Sequence, residues 1–135
     1  MNTLPVTPPT AATTLRVHSV SADEGLIWAL TDGRGRLVGS AAAALRETIS
    51  AVDVPTAEVE IWVAPGDAAA ARWNALVPAL LAGLHLLEVE RVEAHADADN
   101  EERLALLASS GFRVTGVDRD GTLRLTADLA AELTA

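Results

Sequence analysis

The 135-residue chain has no cysteine and no tyrosine, and only four aromatic residues, three tryptophans and one phenylalanine. The lack of cysteine excludes disulfides, thiolate catalysis and cysteine-ligated metals. His18, His85 and His95 lie far apart in the sequence and form no metal-ligand pattern. We therefore expect no metal site, and a core built mostly from leucine, valine and alanine.

Positive charge is also scarce, with 10 arginines and no lysine against 19 acidic residues and a net charge of −9. Nucleic acids and anionic membranes both require clustered basic side chains, so we expect neither as a partner. No apolar run approaches the length that crosses a bilayer, and residues 1–14 show no signal-peptide pattern. The sequence predicts a cytoplasmic protein with a flexible Pro/Thr-rich leader at 1–13 and one domain at 14–135.

The clearest structural signal lies in residues 57–84. Apolar side chains in 58–63 alternate with Glu58, Glu60 and Trp62, which is typical of a half-buried strand. Asp67 is the expected N-cap of the helix that follows, and Pro78 should kink that helix. The apolar face of the helix comprises Trp73, Leu76, Val77, Leu80, Leu81 and Leu84. The free amides at its start can bind phosphate, although a strand and helix that bind nothing would show the same pattern.

Six further strands are predicted from alternating apolar residues, at 15–20, 26–30, 37–45, 91–96, 112–117 and 122–126. A short helix, capped within 97–100 and ended by Gly111, precedes the last two strands, and the tail at 127–133 is predicted to form one or two helical turns. The strand–helix–strand unit around the long helix predicts a parallel pair. The fold class is therefore α+β, with a mixed sheet of six to seven strands, one long helix and one short helix.

In this order, the segments EVEIWVAP, RVEAHADADN and LALLASSGFRVTGVDRDG resemble the acyl-CoA-binding half of the GNAT superfamily of N-acetyltransferases, particularly its RimJ/RimL-like branch. The resemblance covers about residues 57–121. It implies that strand 58–63 splays from the next strand, that the pantetheine of acetyl-CoA inserts between them, and that the pyrophosphate rests on the following turn. The cofactor-binding residues that it implies are Val63, Gly66, Ala68, Ala69, Ala70, Arg72 and Asn100.

The chain departs from the family pattern in three places. Alanines replace the glycines of the acyl-CoA turn. Only about Ser21 to Gly25 joins the first two strands, where the family has two helices that build much of the acceptor site. No tyrosine is present to serve as acid, and Arg103 stands at the register of a serine that some relatives use. The resemblance leaves Glu60 as the candidate catalytic base, with Glu93 on the adjacent strand as a weaker second.

Two functions follow from the sequence as alternatives. The first is an acetyl-CoA-dependent N-acetyltransferase that acts on a small-molecule or protein amine. The second is a non-catalytic GNAT-fold interaction or regulatory protein that has lost acyl-CoA chemistry, because a fold alone does not confer a function. Trp73 is predicted to be core. Trp28 and Trp62, if they lie on outward faces, are the residues expected at a subunit interface, in a homodimer or with a protein partner.

Overall fold

The computed structural model describes residues 14–22, 25–46 and 54–129, and these form one mixed sheet and two helices. The predicted leader at 1–13 lies outside the described residues. The helical tail predicted at 127–133 is wrong at its start, because Ala127 and Asp128 continue strand β7, and its part beyond residue 129 lies outside the described residues. The elements in chain order are β1 (Arg16–Ala22), β2 (Gly25–Thr31), β3 (Leu37–Leu45), β4 (Thr56–Val63), α1 (Ala69–Leu86), β5 (Arg91–Asp97), α2 (Glu101–Ser109), β6 (Arg113–Val117) and β7 (Thr122–Asp128).

The strands lie in the order β1-β2-β3-β4-β5-β7-β6. Neighbouring strands run antiparallel, except for β4 and β5, which are parallel. A parallel pair needs a crossover connection, and α1 provides it. The predicted α+β fold with one long and one short helix is confirmed.

The alanine run in β3 shows how tertiary structure overrides local preference. Alanine favours helices, yet Ala41 to Ala44 continue the strand, with the odd-numbered alanines buried and the even-numbered ones exposed. The run pairs with β2 on one side and with β4 on the other. Its backbone hydrogen bonds are therefore made within the sheet, and the small side chains leave room for larger neighbours.

The core lies between the two helices and one face of the sheet. Five residues of α1 are no more than 1% exposed: Trp73, Leu76, Val77, Leu80 and Leu84. Burying each such side chain stabilises the fold by about 1.5–3 kcal/mol. The helix continues through Pro78, whose ring lies on the exposed side. The Trp73 indole Nε1 donates to the Ser110 hydroxyl at 2.8 Å, which ties α1 to the end of α2 and confirms Trp73 as a core residue.

Trp28 lies on the buried face of the sheet, so the interface role expected of an outward-facing Trp28 does not apply to it. Trp28 is 5% exposed and packs against α1 at Gly83, where an added Cβ would lie 3.0 Å from the indole Cζ2. Alternation along β2 turns Trp28 and Leu30 toward the helices and Ile27 away from them. Trp62 does face outward, with 47% of its surface exposed.

Two of the three helix caps predicted from the sequence are confirmed. The Asn100 side chain accepts from the Arg103 N–H at 3.2 Å at the start of α2. Gly111 follows the end of that helix with φ of +94°, the left-handed conformation expected of it. The prediction of Asp67 as N-cap is wrong, because α1 begins two residues later, with Ala68 in the N-cap position and no side-chain cap hydrogen bond.

Both helices pack on the same face of the sheet. Trp73 of α1 contacts Ser110 and Arg103, and Leu107 of α2 belongs to the same buried cluster as the α1 residues. Only residues 23 and 24 separate β1 from β2, so the two helices that the GNAT family has there are absent, as predicted. The opposite face, called the open face below, carries no helix within the described part of the chain. Its exposed residues on the central strands are Ile27, Ala42, Ala44, Glu58, Glu60 and Trp62.

Candidate functional site

The parallel strands β4 and β5 separate soon after they meet. They pair at only three positions, Thr56 with Arg91, Ala57 with Val92, and Glu58 with Glu93. Beyond Glu58 the strand β4 pairs only with β3, and beyond Glu93 the strand β5 pairs only with β7. The two strand edges that face each other across this β4–β5 gap therefore carry backbone groups without a ladder partner. The splay that the family resemblance implies is present.

Arg46 holds the two strands together where the gap begins. Its Nη2 lies 2.6 Å from Glu58 Oε1 and 2.9 Å from Glu93 Oε1, and its Nη1 lies 3.1 Å from Glu93 Oε2. Like charges directly opposite in a sheet destabilise it, so the guanidinium removes a repulsion as well as adding two ion pairs. Hydrogen bonds from Arg46 hold the pKa of Glu93 below its usual range. At neutral pH Glu93 is therefore a carboxylate engaged in this Arg46 clamp.

Glu60 and His95 line the gap from opposite sides. Two cavities of about 600 and 630 Å³ adjoin there, and each is lined by both side chains. Continuing the register from the Glu58–Glu93 pair by two residues places Glu60 opposite His95. His95 Nε2 also lies 3.6 Å from Asp118 Oδ2, which orients the imidazole toward the β6–β7 turn. The predicted base is thus in a cavity and faces a second group that can carry a proton.

Arg103 brings a positive charge to the same place. Its guanidinium carbon lies 5.7 Å from the centre of the Trp73 ring, and the side chain lines the second cavity together with Glu60 and His95. Burial lowers the pKa of Arg103, and the attraction of the Glu60 carboxylate opposes that effect. The site therefore combines a carboxylate, an imidazole and a guanidinium at one gap in the sheet.

The turn between β4 and α1 contains most of the predicted cofactor-binding residues. Val63 ends β4 paired with Gly39, and Gly66 adopts φ of +125° with open space beside it. Ala68 is the N-cap, Ala69 is buried and Ala70 is exposed. Within the described residues, the backbone N–H groups of positions 70 and 71 have no acceptor. Two free amides thus lie at the positive end of the helix dipole.

Arg72 and Asn100 complete the predicted set. Arg72 Nη1 donates to the carbonyl oxygen of Ala64 at 3.0 Å, so this side chain ties the first turn of α1 to the end of β4. Asn100 lies after β5, and the parallel strands β4 and β5 end at the same edge of the sheet. The structure therefore gathers Val63, the turn and Asn100 at one edge, whereas Glu60 lies deeper in the gap.

Three residues of the site, His95, Arg103 and Arg46, were not predicted from the sequence to belong to it. The alternation in RVEAHAD places His95 on the same face as Glu93, and combining it with the parallel register would have paired His95 with Glu60. Arg46 carries no comparable signal, because it follows β3 directly and meets Glu93 only through the folded sheet.

Two features are absent from the part of the chain that the structure describes. No group of three or more His, Asp or Glu side chains there could hold a metal ion. Neither helix there combines the length and the hydropathy that crossing a lipid bilayer requires.

No protein-family profile and no curated protein sequence matches the chain. Solved structures do match. Spermidine N-acetyltransferase from Vibrio cholerae, in complex with CoA and spermine, superposes with a TM-score of 0.65 at 17% identity, over 82% of this chain and 69% of that one. The protein yncA from Salmonella typhimurium, solved with its cofactor acetyl-CoA, gives a TM-score of 0.63 at 17% identity, over 78% and 65% of the two chains.

The GNAT domain of S. lividans PAT gives a TM-score of 0.61 at 22% identity. It is covered over 61% of its length, and this chain over 78%, so the chain spans roughly three fifths to two thirds of these neighbours. Assignment to the RimJ/RimL-like branch stays a prediction. The chain therefore has the GNAT fold of these N-acetyltransferases.

Proposed function

We propose that this chain is an acetyl-CoA-dependent N-acetyltransferase that acts on an amine. The observation that carries the proposal is the β4–β5 gap, because it leaves two strand edges unpaired and leads to a helix start with free amides. Pantetheine contains two amide groups that can pair with strand edges, and pyrophosphate suits free N–H groups at a helix dipole. The residues present therefore fit the cofactor.

Val63, the turn at 66–72 and Asn100 are the residues that would hold acetyl-CoA. When bound, it supplies an acetyl group activated as a thioester. The exposed alanines of the turn leave its amides accessible, much as glycines would. Arg72 keeps the helix start against β4 through its bond to Ala64, and its remaining nitrogens add positive charge to the turn.

The chain's own residues supply the proton transfer. An amine acceptor is protonated at neutral pH, and its nitrogen attacks a carbonyl only after the ammonium has lost a proton. A Glu60 carboxylate oxygen accepts that proton, and the His95 imidazole opposite can pass it to solvent because it is 41% exposed on its side chain. Arg103 places a fixed positive charge beside Glu60, where it can stabilise negative charge that develops in the reaction.

Cofactor binding is tested by calorimetric titration of the protein with CoA and acetyl-CoA. Ala70→Glu places a carboxylate on the free amides at an exposed position, and we expect it to weaken CoA binding at least about tenfold, since charge and bulk both oppose a phosphate there. Ala82→Glu, exposed on the same helix, is the matched control and should bind as the wild type does. No binding of either ligand at millimolar concentration would refute the proposal.

Turnover is tested by thiol release from acetyl-CoA in the presence of amines. The protein has no cysteine, so a thiol reagent reports only released CoA. Spermidine, named for the V. cholerae neighbour, is one amine to include. Glu60→Gln should lower kcat about 10²-fold or more without changing CoA affinity, whereas Glu102→Gln on the exposed side of α2 should change neither. Equal rates for the two variants would show that Glu60 is not the base.

The second candidate function is a non-catalytic GNAT-fold interaction or regulatory protein. Three observations favour it: Asp67 lies in the turn without capping the helix, Arg72 is already bonded to Ala64, and the open face lacks the two helices that build an acceptor site in the family. Under this alternative no amine gives thiol release, and the open face binds a protein partner or a second copy of the chain.

A further inference from the structure

A row of cross-strand neighbours runs over the open face on both sides of the gap. On one side Ile27 pairs with Ala42 and Ala42 with Glu60. On the other side His95 pairs with Arg124, which in turn pairs with Gly116. Cross-strand partners project from the same face, so the row is apolar at one end, carries Glu60 and His95 at its centre, and reaches a guanidinium beyond them.

Arg124 is unusual among the arginines around it. Arg91 and Arg113 both bind Asp128, at 3.4 and 3.2 Å, and Arg46 binds Glu58 and Glu93. In the described part of the chain the Arg124 side chain makes no hydrogen bond and no ion pair. Arg124 does attract the Glu93 carboxylate electrostatically, but within the described residues no acceptor takes a hydrogen bond from its guanidinium.

The Arg124 guanidinium lies over β6 at Gly116. A Cβ at Gly116 would lie 2.9 Å from Cζ of Arg124, so a larger residue there would push this flexible side chain aside. Beside it the hydroxyls of Thr115 and Thr126 are 2.8 Å apart. Thr115, Arg124 and Thr126 line a depression of about 330 Å³ on the open face, together with Arg91, Glu93 and Arg113.

The depression is locally positive in an acidic protein. It is lined by Arg91, Arg113 and Arg124 against Glu93, and Asp128 binds the first two arginines, so these five side chains carry one net positive charge at neutral pH. A planar guanidinium with free N–H groups matches a carboxylate or a phosphate, which it can bind through two parallel hydrogen bonds.

We propose that Arg124 binds an anionic group of the acceptor whose amine is positioned at Glu60 and His95. This proposal rests on the acetyltransferase function above and specifies its substrate class: a small amine that also carries a carboxylate or a phosphate. Neighbouring strands lie about 4.8 Å apart, so the backbones at Arg124 and His95, which are cross-strand partners, are separated by about that distance. Glu60 lies on the next strand, across the wider β4–β5 gap. A molecule with its amine and its anion a few bonds apart spans that distance. A polyamine would place a second cation against Arg124 and is disfavoured.

Binding is tested by ¹⁵N–¹H NMR titration of the protein, with and without CoA. The probes are β-alanine for a carboxylate, O-phosphoethanolamine for a phosphate, and ethanolamine as the same amine without an anion. We expect at least one of the two anionic probes to shift the amide signals of Thr115 and Gly116, and ethanolamine to leave them unchanged. Arg124→Gln should weaken that binding about tenfold or more, whereas Arg119→Gln, an exposed arginine in the β6–β7 turn, should bind as the wild type does.

Thermal melts of Arg124→Gln establish that the variant is folded. Arg124→Lys tests whether the two parallel hydrogen bonds of the guanidinium matter, since lysine keeps the charge but cannot make that pair of bonds. Unchanged probe binding in Arg124→Gln, or spermidine binding more tightly than both anionic probes, would overturn the proposal. If ethanolamine gave thiol release and neither anionic probe bound more tightly than ethanolamine, this proposal would be overturned and the acetyltransferase function would stand. Anion binding at Arg124 without thiol release from any amine would support the site and refute the reaction.

Discussion

Replacing Arg46 by methionine tests whether the Arg46 clamp holds β4 to β5. The pair with Glu58 joins side chains that are 46% and 54% exposed, and such pairs contribute about 0.5 kcal/mol. Glu93 is only 13% exposed and accepts two hydrogen bonds from the guanidinium, so losing that charged partner should cost about 1–2 kcal/mol. We therefore expect Arg46→Met to lower the free energy of unfolding by about 2 kcal/mol.

The assay is urea denaturation followed by tryptophan fluorescence, with Arg119→Met as a control that removes an exposed arginine elsewhere. A double-mutant cycle with Glu93→Gln separates the ion pair from general effects of the substitution. Because Glu93→Gln already removes the negative charge, Arg46→Met should cost less in that background. A loss below about 0.5 kcal/mol, or an equal loss in both backgrounds, would refute the reasoning.

The same variant has a defined pH dependence. Hydrogen bonds from Arg46 lower the pKa of Glu93 in the folded protein, whereas the unfolded chain should titrate near the ordinary glutamate value of about 4.3. Stability from the pair is therefore fully present above that pH and is lost as the pH falls through the lowered pKa of the folded state. The difference between wild type and Arg46→Met should be constant from about pH 6 to 8 and shrink below about pH 4. A difference that grew on acidification would contradict this assignment.

Two further substitutions test the packing of α1. Trp73→Phe removes the 2.8 Å bond to Ser110 and should cost about 1–2 kcal/mol in urea denaturation, with a smaller cost in a Ser110→Ala background; equal costs would show that the bond contributes nothing. Gly83→Val drives a branched side chain into the Trp28 indole, 3.0 Å from where its Cβ would lie, and should cost about 1–3 kcal/mol; an unchanged midpoint would show that the indole moves freely.

The order and type of the elements could be predicted from the sequence because most strands bury only one face. Alternation in 58–63 and the α1 stripe from Trp73 to Leu84 encode both the element and its buried side. In β2 this signal is weak, since Ile27 and Trp28 are adjacent and both apolar. Which of them is buried depends on where α1 packs, so the side of Trp28 could not be predicted locally.

The candidate site was less predictable, because its residues meet through strand register. Glu60 was identified as the candidate base from the family resemblance, and the structure places it in the cavities at the β4–β5 gap. Its position opposite His95 depends on β4 and β5 being parallel and in one particular register. The N-cap of α1 was predicted one residue too early, at Asp67 instead of Ala68. Both residues precede α1, and the backbone of the turn decides which of them becomes the N-cap.

The short β4–β5 ladder also has a mechanical consequence. Helix α1 packs on β1 to β4, whereas β5, β6 and β7 lie on the far side of a joint with only three residue pairs. By contrast, the β5–β7 ladder has seven residue pairs. The joint should thus be the most compliant part of the sheet, and rocking of its two halves would widen or narrow the gap with little loss of backbone pairing. A molecule wedged in the gap would stiffen the whole sheet, and slower amide exchange in both strand edges would report it.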